Sequence, residues 1–477
     1  MKVFFKLTPT TVLLGAMMAV SSCNVLNQSP PAALSIDDAF ASADRIDKSA
    51  LGMYDGLQNA EFYGGRVLIY GDVRADDVDY SAYFAGVSDF SATSASGYAA
   101  TAWTGGYQTI FSANLFMQNL AAHPGVVTSD VAKQYVGEAK FIRAIAMFQL
   151  CNLFAQPYNF TNDGSHLGIP IQLNAADATT AFATSQQLPR STVKDVYAQI
   201  EKDLLDAAAS LPASSATPTF SSVARATKGA AEAMLMRLYL YKGDYASALT
   251  RANNVIGLGV FALNSSPQAT FRPPYYTKES IFSVAMNTQD NPNTNNSLGQ
   301  HYSPTGRADI TVNPYAALPS LTADDKRRTT LLITKTGTTT PIYTSKYTTV
   351  ADWVPVVRYA EVLLTKAEAL SQTAGSAPST DALAALNQVR DRSRGAAPAY
   401  VLANFATQAG LLTAIRTERR LELAFEGHRL YDLFRYKQGV PARGTVQALP
   451  YGDPKLVLPI PLTDTQMNPN LVQNPGY

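Results

Sequence analysis

The chain has 477 residues, of which 46% are hydrophobic and 16% are charged, and 38 basic against 37 acidic side chains leave a formal net charge of +1. Globular proteins contain roughly 25% charged residues, so this chain has neither the basic excess that nucleic acid binding requires nor an acidic tail. Its hydrophobic content is sufficient for a large buried core and excludes an intrinsically disordered protein.

Residues 1–22 predict a secretory signal peptide. Two lysines near the start are followed by an apolar run from Val12 to Val20 and by two small residues before Cys23. The apolar run is too short to span a membrane. The sequence VSSC at 20–23 resembles the lipobox of bacterial lipoproteins, which implies that Cys23 is lipidated; the alternative is an exported protein with a chance cysteine.

Residues 24–34 contain paired prolines and polar side chains, and they predict an extended tether of at most about 35 Å. No later segment approaches the ~18 apolar residues that a spanning helix needs. We therefore expect the mature protein to be anchored to a membrane without crossing it.

Most of the remaining chain has the apolar periodicity of helices. Ser35 and Asp38 form the Ser-x-x-acid pattern of a capping box, which opens a helix running to about residue 59. Between Tyr135 and Leu153, apolar residues recur at steps of three and four and form one face. The further predicted helices span residues 104–122, 131–155, 192–210, 224–242, 245–257, 358–373, 380–393 and 411–437.

The sequence around Gly243 indicates two closely packed antiparallel helices. Ala231 and Leu235 precede the glycine, and Ala248 and Ala252 follow it. Small residues at four-residue spacing permit a close approach, and the glycine supplies the break. The pattern resembles a tetratricopeptide helix pair, and pairing the predicted helices in order gives about four such units.

Two regions, residues 72–97 and 263–355, carry loop signals, and the second contains a polar run from Asn287 to Asn296. Helix pairs with long polar loops that also contain aromatic residues are typical of a scaffold with a binding surface.

Little in the sequence indicates catalysis. It has no HExxH, GxSxG or Walker motif, and the GxGxxA match at 257–262 ends a predicted helix, whereas a dinucleotide motif opens one. The histidines and cysteines show no metal-ligand spacing and no pairing pattern. We predict a protein that is not an enzyme and has no cofactor.

Calcium is an alternative for one carboxylate group. Asp72, Asp76, Asp77 and Asp79 lie close together in the first loop region, but their spacing is not that of an EF-hand. A calcium site, ligand-facing groups and ordinary turn residues all remain open for them.

The densest feature is the charged segment from Ile415 to Arg435. Its glutamates would be metal ligands or a glycosidase acid and nucleophile in a functional interpretation. In the structural interpretation, opposite charges three residues apart pair on one helix, and because apolar residues flank every charge, they form a partly buried ion-pair lattice. We favour the lattice. The expected pairs are Arg419 with Glu422, Glu426 with Arg429, and Arg429 with Asp432.

The same segment carries a family resemblance. The string ERRLELAFEGHRLYDLFR at 418–435 resembles the C-terminal signature of the SusD/RagB family, the outer-membrane nutrient-binding lipoproteins of Bacteroidetes polysaccharide utilisation systems. Further blocks resemble the family in its order along nearly the whole mature chain. They are WTGGYQTIFSAN at 103–114, GEAKFIRA at 137–144, RATKGAA at 225–231, VRYAEVLL at 357–364, NQVRDR at 387–392, and the ending from LPIP at 458–461 to QNPGY at 473–477.

The resemblance implies a mainly α-helical protein with the SusD-like fold, in which about four tetratricopeptide helix pairs back an irregular, loop-rich ligand-binding face. Residues 35–477 then form one SusD-like body. Its expected parts are helical repeats within 35–262 and 356–437, a loop-rich insertion at 263–355 and the C-terminal family segment at 411–477.

The resemblance also implies a function. The protein would bind an oligosaccharide or polysaccharide at the cell surface and deliver it to a partner TonB-dependent, SusC-like outer-membrane transporter. It would be lipid-anchored in the outer membrane and face the cell exterior. Surface lipoproteins of this phylum often have acidic residues soon after the lipidated cysteine, whereas residues 24–28 (NVLNQ) have none, which leaves the leaflet open.

A neutral sugar presents hydroxyl groups and flat C–H faces, so its site needs aromatic platforms together with carboxylate, amide or guanidinium groups. Family members carry these contacts in variable loops, so the candidates come from the composition of the two loop regions; for each, the alternative is an ordinary partly buried side chain. They are Asp76, Asp77, Tyr80, Tyr83, Phe84 and Tyr98 in the first region, and Tyr302, Arg307 and Trp353 in the second.

Three alternatives to glycan binding remain. A peptide-binding protein like the RagB branch would use acidic and basic loop residues to meet the peptide termini. A glycoside hydrolase would require two carboxylates about 5 to 10 Å apart across a pocket. A pure assembly role for the helical repeats would require no ligand.

Overall fold

The computed structural model describes residues 35–177, 179–180 and 183–477. The predicted signal peptide at 1–22, Cys23 and the tether that continues to residue 34 lie outside the described residues. Within the described part of the chain, no helix has both the length and the apolar character that crossing a membrane requires.

The described chain is mainly helical, as predicted. The helices are α1 (Ile36–Ala39), α2 (Ala43–Gln58), α3 (Arg66–Val73), α4 (Gly97–Ala122), α5 (Ser129–Phe154), α6 (Val193–Ser210), α7 (Phe220–Ala224), α8 (Lys228–Lys242), α9 (Tyr245–Gly257), α10 (Asn293–Asn296), α11 (Leu298–Tyr302), α12 (Asn313–Ala316), α13 (Lys326–Leu331), α14 (Tyr359–Thr373), α15 (Thr380–Ser393), α16 (Gln408–Glu422), α17 (Arg429–Arg435) and α18 (Leu462–Met467). Strand β1 (Ser280–Val284) pairs antiparallel with β4 (Val354–Arg358), and β2 (Leu332–Thr334) pairs antiparallel with β3 (Ile342–Thr344).

Two of the predicted helices are divided in the structure. The helix predicted to run from residue 35 to about 59 is α1 and α2, because the Ser42 side chain accepts a hydrogen bond from the Arg45 N–H and caps a new helix. The helix predicted at 411–437 is α16 and α17. Between them, Phe425 and Gly427 have positive φ angles of 65° and 76°, which no α-helix accommodates.

Other elements differ from the prediction in extent or were not predicted. Helix α4 begins at Gly97 rather than at residue 104, because its first turns contain helix-favouring alanines at positions 99, 100 and 102. Helix α3, the short helices α7, α10 to α13 and α18, and the four strands were not predicted. β1 and β4 are buried at every position, so they lack the alternation by which a strand is recognised.

The long helices pack in chain order. α4 packs on α5, α5 on α6, α6 on α8, α8 on α9, α9 on α14, and α14 on both α15 and α16. At the α8–α9 turn, Gly243 has a φ of 79° and Asp244 caps α9 by accepting from the Ser247 N–H. This succession of neighbouring helices is compatible with the expected stack of tetratricopeptide pairs.

The two loop regions lie on this helical stack. Pairing of β1 with β4 joins the two ends of the long insertion. The ring of Phe282 in β1 packs edge-on against Phe141 of α5 at 4.9 Å, and both side chains are fully buried. The insertion is therefore fixed to the hydrophobic core, and its surface residues have a defined support.

Candidate functional site

Two glutamates of the charged segment near the C-terminus join a buried ion-pair lattice. We define this lattice by five residues, which are Glu279, Arg358, Arg392, Glu422 and Glu426. The Arg358 guanidinium donates from Nη1 to Glu422 at 2.7 Å and to Glu279 at 2.8 Å, and from Nε to Glu426 at 2.8 Å. The side chain of Arg392 also pairs with Glu279 and Glu422. All five side chains are at most 5% exposed.

Neighbouring guanidinium groups keep Glu422 ionised. Burial by itself raises the pKa of Glu422, but the guanidinium groups of Arg392 and Arg358 hold that pKa well below its ordinary value. A carboxylate that is paired in this way cannot act as a general acid. The lattice therefore has a structural role, and we do not assign a ligand to it.

The ion pairs of the charged segment from Ile415 to Arg435 differ from the predicted ones. Arg419 pairs with Asp432 at 3.0 Å rather than with Glu422, and Arg429 pairs with Asp76 at 2.6 Å rather than with Glu426 or Asp432. The prediction assumed one continuous helix. The turn between α16 and α17 separates Glu426 from Arg429, but the other two expected pairs each lie within one helix. There, contacts with other segments decide the partners, because Arg419 also pairs with Glu361 of α14 and Arg429 pairs with Asp76.

Asp76 and Asp77 face inward, which does not fit the expectation that they contact a ligand. Asp76 accepts from Arg429 and from Arg420, and Asp77, which is 2% exposed, accepts from Arg420 at 2.7 Å. Burial opposes ionisation of Asp76, but the two guanidinium groups hold its pKa below the ordinary value. These carboxylates join the first loop region to the C-terminal segment.

The other carboxylates of the proposed calcium group are also engaged. Asp72 is buried and accepts from the Tyr302 hydroxyl, while Asp79 accepts from Thr311 at 2.6 Å and from Asn313 at 2.8 Å. Among the residues that the structure describes, no cluster of three or more His, Cys, Asp or Glu side chains is arranged to hold a metal ion.

Three of the candidate aromatic residues are packed into the core. Tyr302 and Phe84 are fully buried, and Trp353 is 7% exposed. The Trp353 indole N–H donates to the Met286 carbonyl at 3.0 Å, and its ring stacks on Tyr275. These rings fix the loops onto the body, so the structure does not offer them to a ligand.

Tyr80 is exposed but lies in a cleft of its own. This cleft has a volume of about 340 Å³ and is lined in part by Asp89, Phe90 and Lys455. None of the other candidate residues lines it.

The remaining three candidates come together. The Arg307 guanidinium lies 4.3 Å from the centroid of the Tyr83 ring, and the Tyr98 hydroxyl donates to the Tyr83 carbonyl at 2.6 Å. Arg307 is exposed, and Tyr83 and Tyr98 are half-buried. The two loop regions, more than 200 positions apart in the chain, therefore meet at this point.

Two polar side chains complete this surface, which we call the tyrosine–arginine patch and define as Glu61, Tyr83, Tyr98, Asn295 and Arg307. Arg307 reaches the Asn295 side-chain oxygen at 3.4 Å. Thr101, in the same helix as Tyr98, donates to the Glu61 carboxylate at 3.2 Å. The patch thus presents a carboxylate, an amide and a guanidinium beside aromatic rings.

Sequence reasoning missed the side chains that support the patch. Arg66, in the unpredicted helix α3, is 3% exposed and donates to the Asn296 side chain and the Asn295 carbonyl, each at 2.8 Å. The ring of His301 lies 5.0 Å from that of Tyr83, and its nitrogens contact Asp309 and the Asn295 carbonyl. No signal in the sequence marks these two residues, because their roles arise from contacts between distant segments.

The combination of groups determines what the patch can bind. Carboxylate, amide and guanidinium groups side by side supply both hydrogen-bond acceptors and donors. The guanidinium over Tyr83 is itself held by a cation–π contact and by Asp309, so its donors are oriented before a ligand arrives. A mainly helical scaffold with such a surface on its loops has the architecture of a ligand-binding protein.

Comparison with known proteins agrees with this class. Residues 315–477 match the model of the SusD family, and residues 25–240 match a family model described as starch-binding and associating with the outer membrane. A SusD superfamily protein from Bacteroides fragilis of known structure is 30% identical, with a TM-score of 0.80 and coverage of 91% of this chain and 100% of that one. The chain belongs to the SusD family.

Two further relatives extend the comparison. A putative sugar-binding protein from Bacteroides vulgatus is 26% identical, with a TM-score of 0.78 and coverage of 91% of this chain and 99% of that one. SusD-like protein P2 of Formosa agariphila is 28% identical over 525 residues, which include 97% of this chain and 98% of the relative. The similarity therefore covers nearly all of both proteins.

Proposed function

We propose that this protein binds an oligosaccharide or polysaccharide at the outer membrane and delivers it to a partner TonB-dependent transporter of the SusC type. We further propose that Cys23 carries the lipid anchor, that the protein faces the cell exterior and that it does not cleave its ligand. Membership of the SusD family, the starch-binding description of the second family model and the sugar-binding name of one relative support this proposal.

The tyrosine–arginine patch is the observation that carries the proposal at the level of residues. Its exposed Arg307 is paired with Asp309 at 3.0 Å and its partly exposed Glu61 with Arg66 at 3.8 Å, so neither charge is left without a partner for a charged ligand to neutralise. An uncharged sugar has hydroxyl groups that accept from the guanidinium and donate to the carboxylate. The patch therefore suits a neutral glycan.

Isothermal titration calorimetry tests this assignment. The chain from residue 24 onward contains every described residue, and it is titrated with starch, laminarin and other uncharged polysaccharides. We expect Tyr83→Ala and Arg307→Ala each to weaken binding about tenfold, which corresponds to about 1.4 kcal/mol. Phe160→Ala is the matched control, because Phe160 is a 42% exposed aromatic residue that does not belong to the patch.

The possible outcomes separate the alternatives. Wild-type affinity in both patch variants would contradict the patch, whereas the absence of binding to any glycan would contradict the function. Binding of peptides in place of glycans would support the alternative that resembles RagB. Release of reducing sugar from a bound glycan would reveal a glycoside hydrolase, which we do not expect.

A further inference from the structure

A second surface with sugar-binding chemistry runs along helices α2 and α4. It consists of three clefts, with volumes of about 310, 510 and 520 Å³. The first and second share the lining residues Asp55, Gln58 and Asp290, and the second and third share Gln108 and Phe111. The clefts therefore adjoin, and we call them together the helical groove.

The helical groove is distinct from the tyrosine–arginine patch. None of the residues that define the patch lines any of the three clefts. The two surfaces approach each other at Asn59, which lines the middle cleft and accepts a hydrogen bond from the Glu61 N–H. A ligand bound at the patch thus does not fill the groove.

The shared residues of the groove carry the groups that a sugar requires. Phe111 is 40% exposed at the junction of the middle and third clefts and offers an apolar ring to a C–H face. Gln108, beside it, accepts from the Asn59 amide at 3.3 Å and keeps its own amide hydrogens for a ligand. An exposed ring next to an amide that both donates and accepts matches the two faces of a pyranose.

Charge in the groove excludes an anionic ligand. Asp55 and Asp290 line the middle cleft, and no other described side chain forms an ion pair or hydrogen bond with their carboxylates. Asp464 adds a third carboxylate in the third cleft. Among the described residues that line the groove, the one basic side chain is that of Arg225, and it is neutralised by Glu138 and Asp47, each at 2.9 Å. Sulfated or uronate chains would meet uncompensated negative charge.

The dimensions of the groove favour a chain over a small sugar. Pockets for a single small ligand typically have a volume of about 300–1,000 Å³, and each of the three clefts falls within this range by itself. Their arrangement in a row therefore accommodates several consecutive units of a polymer. Joining several weak contacts along one chain raises the affinity for long ligands relative to short ones.

We propose that the helical groove is a second carbohydrate-binding site, which takes a stretch of an uncharged polysaccharide chain in addition to the portion held at the tyrosine–arginine patch. This inference rests on the proposed function, because it assumes that the protein binds glycans. It adds that the natural ligand is a neutral polymer long enough to occupy two or more clefts.

Calorimetry with long and short forms of one glycan tests the groove. The chain from residue 24 onward is titrated with the polysaccharide that binds in the panel and with its trisaccharide. We expect Phe111→Ala with Gln108→Ala to weaken binding of the polymer about tenfold and to leave binding of the trisaccharide unchanged. Tyr83→Ala should weaken binding of both. Phe160→Ala is again the control, and circular dichroism verifies that each variant folds.

Each other outcome has a distinct meaning. If the groove variant binds the polymer as the wild type does while Tyr83→Ala is weakened, the groove is not a glycan site and the proposed function stands. If the groove variant instead loses only co-purification with the transporter, the groove is a surface for a protein partner, and the inference is wrong. Binding of a polyuronate as tight as that of the neutral polymer would also overturn it. If no glycan binds the wild type, the proposed function itself fails.

Discussion

Asp72 is a buried aspartate in helix α3. It is 2% exposed and accepts from the Tyr302 hydroxyl at 2.6 Å and from the Gly427 N–H at 3.1 Å. Burial raises its pKa to about 8, although both hydrogen bonds oppose the rise. The group is therefore mostly protonated in the folded protein at neutral pH, and Tyr302 is committed to it rather than to a ligand.

Asp72 should make the stability of the protein depend on pH. The pKa of an unfolded aspartate is about 3.9, so the stability that Asp72 contributes is full below that pH and is lost as the pH rises to about 8. The loss is at most about 1.4 kcal/mol per pH unit. Asp72→Asn stays neutral, and we expect the free energy of unfolding of this variant, relative to the wild type, to increase between pH 5 and pH 8.

Urea unfolding at these two pH values measures the effect. Asp55→Asn is the control, because Asp55 lies on the surface and its variant should follow the wild type at both values. A difference between Asp72→Asn and the wild type that does not change with pH would contradict the assignment.

At the residue scale, the sequence predicts which residue types lie in the loop regions, but it does not predict which individual side chains are exposed. Tyr83 and Tyr302 are both loop aromatics in the sequence, yet one is half-buried beside Arg307 and the other is fully buried on Asp72. Composition places tyrosines in loops, but which face each one presents depends on contacts between segments more than 200 positions apart. Arg66 and His301 were missed for the same reason.

Gly427 lies in the turn between α16 and α17, and it packs against α3. A Cβ at this position would lie 2.8 Å from the Leu68 Cα, and its φ is 76°. Gly243 has a similar φ of 79°, but a Cβ there would meet open space.

Alanine substitutions at these two glycines distinguish the cost of the left-handed backbone conformation from the cost of a steric clash with α3. Gly243→Ala should cost about 1 kcal/mol of stability, since only the left-handed conformation is penalised. Gly427→Ala should cost a further ~1–3 kcal/mol, because the backbone of α3 must move. Thermal and urea unfolding of both variants provide the measurement, and equal losses would indicate that α3 does not restrict the turn.

The buried ion-pair lattice should be sensitive to the loss of one member. Glu422→Gln leaves the guanidinium groups of Arg358 and Arg392 without a full counter-charge, and removing one partner of a buried pair costs about 3–5 kcal/mol. Lys48→Ala is the matched control for an ion pair at the surface. Lys48 and Asp44 are 71% and 74% exposed, and we expect a change below about 0.5 kcal/mol.

Urea unfolding of the two variants tests this contrast. A loss below about 1 kcal/mol for Glu422→Gln would mean that water or a rearranged neighbour compensates the arginines. The lattice would then be less tightly closed than its contacts indicate.

At the element scale, long amphipathic helices were predictable and their interruptions were not. Helices α5, α6, α9 and α15 lie within two residues of their predicted bounds, because apolar periodicity over several turns identifies a helix. The division of the helix predicted at 411–437 was missed, since the charged string there reads as continuous. The hydrogen-bond and ion-pair partners of this segment lie on α3, α14 and β4. Only the tertiary structure therefore reveals why the chain turns there.

The whole molecule was recognisable because family blocks are distributed along the entire chain. The SusD family membership confirms that resemblance, and the mainly helical fold confirms the expected class. The transporter partner, the lipid anchor and the exterior orientation stay predictions, because they concern molecules and residues outside the structure.

The anchor has a direct test on the whole protein. Cells that express the chain are labelled with radioactive palmitate, and we expect label in the wild type and none in Cys23→Ala, because a thioether to a lipid requires the thiol. Cys151→Ala is the matched control, since Cys151 is 2% exposed and should not affect labelling. Equal labelling of the wild type and Cys23→Ala would contradict the lipobox assignment.

The buried ion-pair lattice also limits where the sequences of related proteins can gain or lose segments. In ordinary solenoids each repeat touches only its neighbours, so whole repeats can be duplicated or lost. Here Glu279, Arg358, Arg392 and Glu422 come from four separated parts of the chain and neutralise one another. Adding or deleting a helix pair between these residues would separate buried charges from their partners. We therefore expect insertions and deletions among relatives to fall in the surface loops, while the number of helix pairs stays constant.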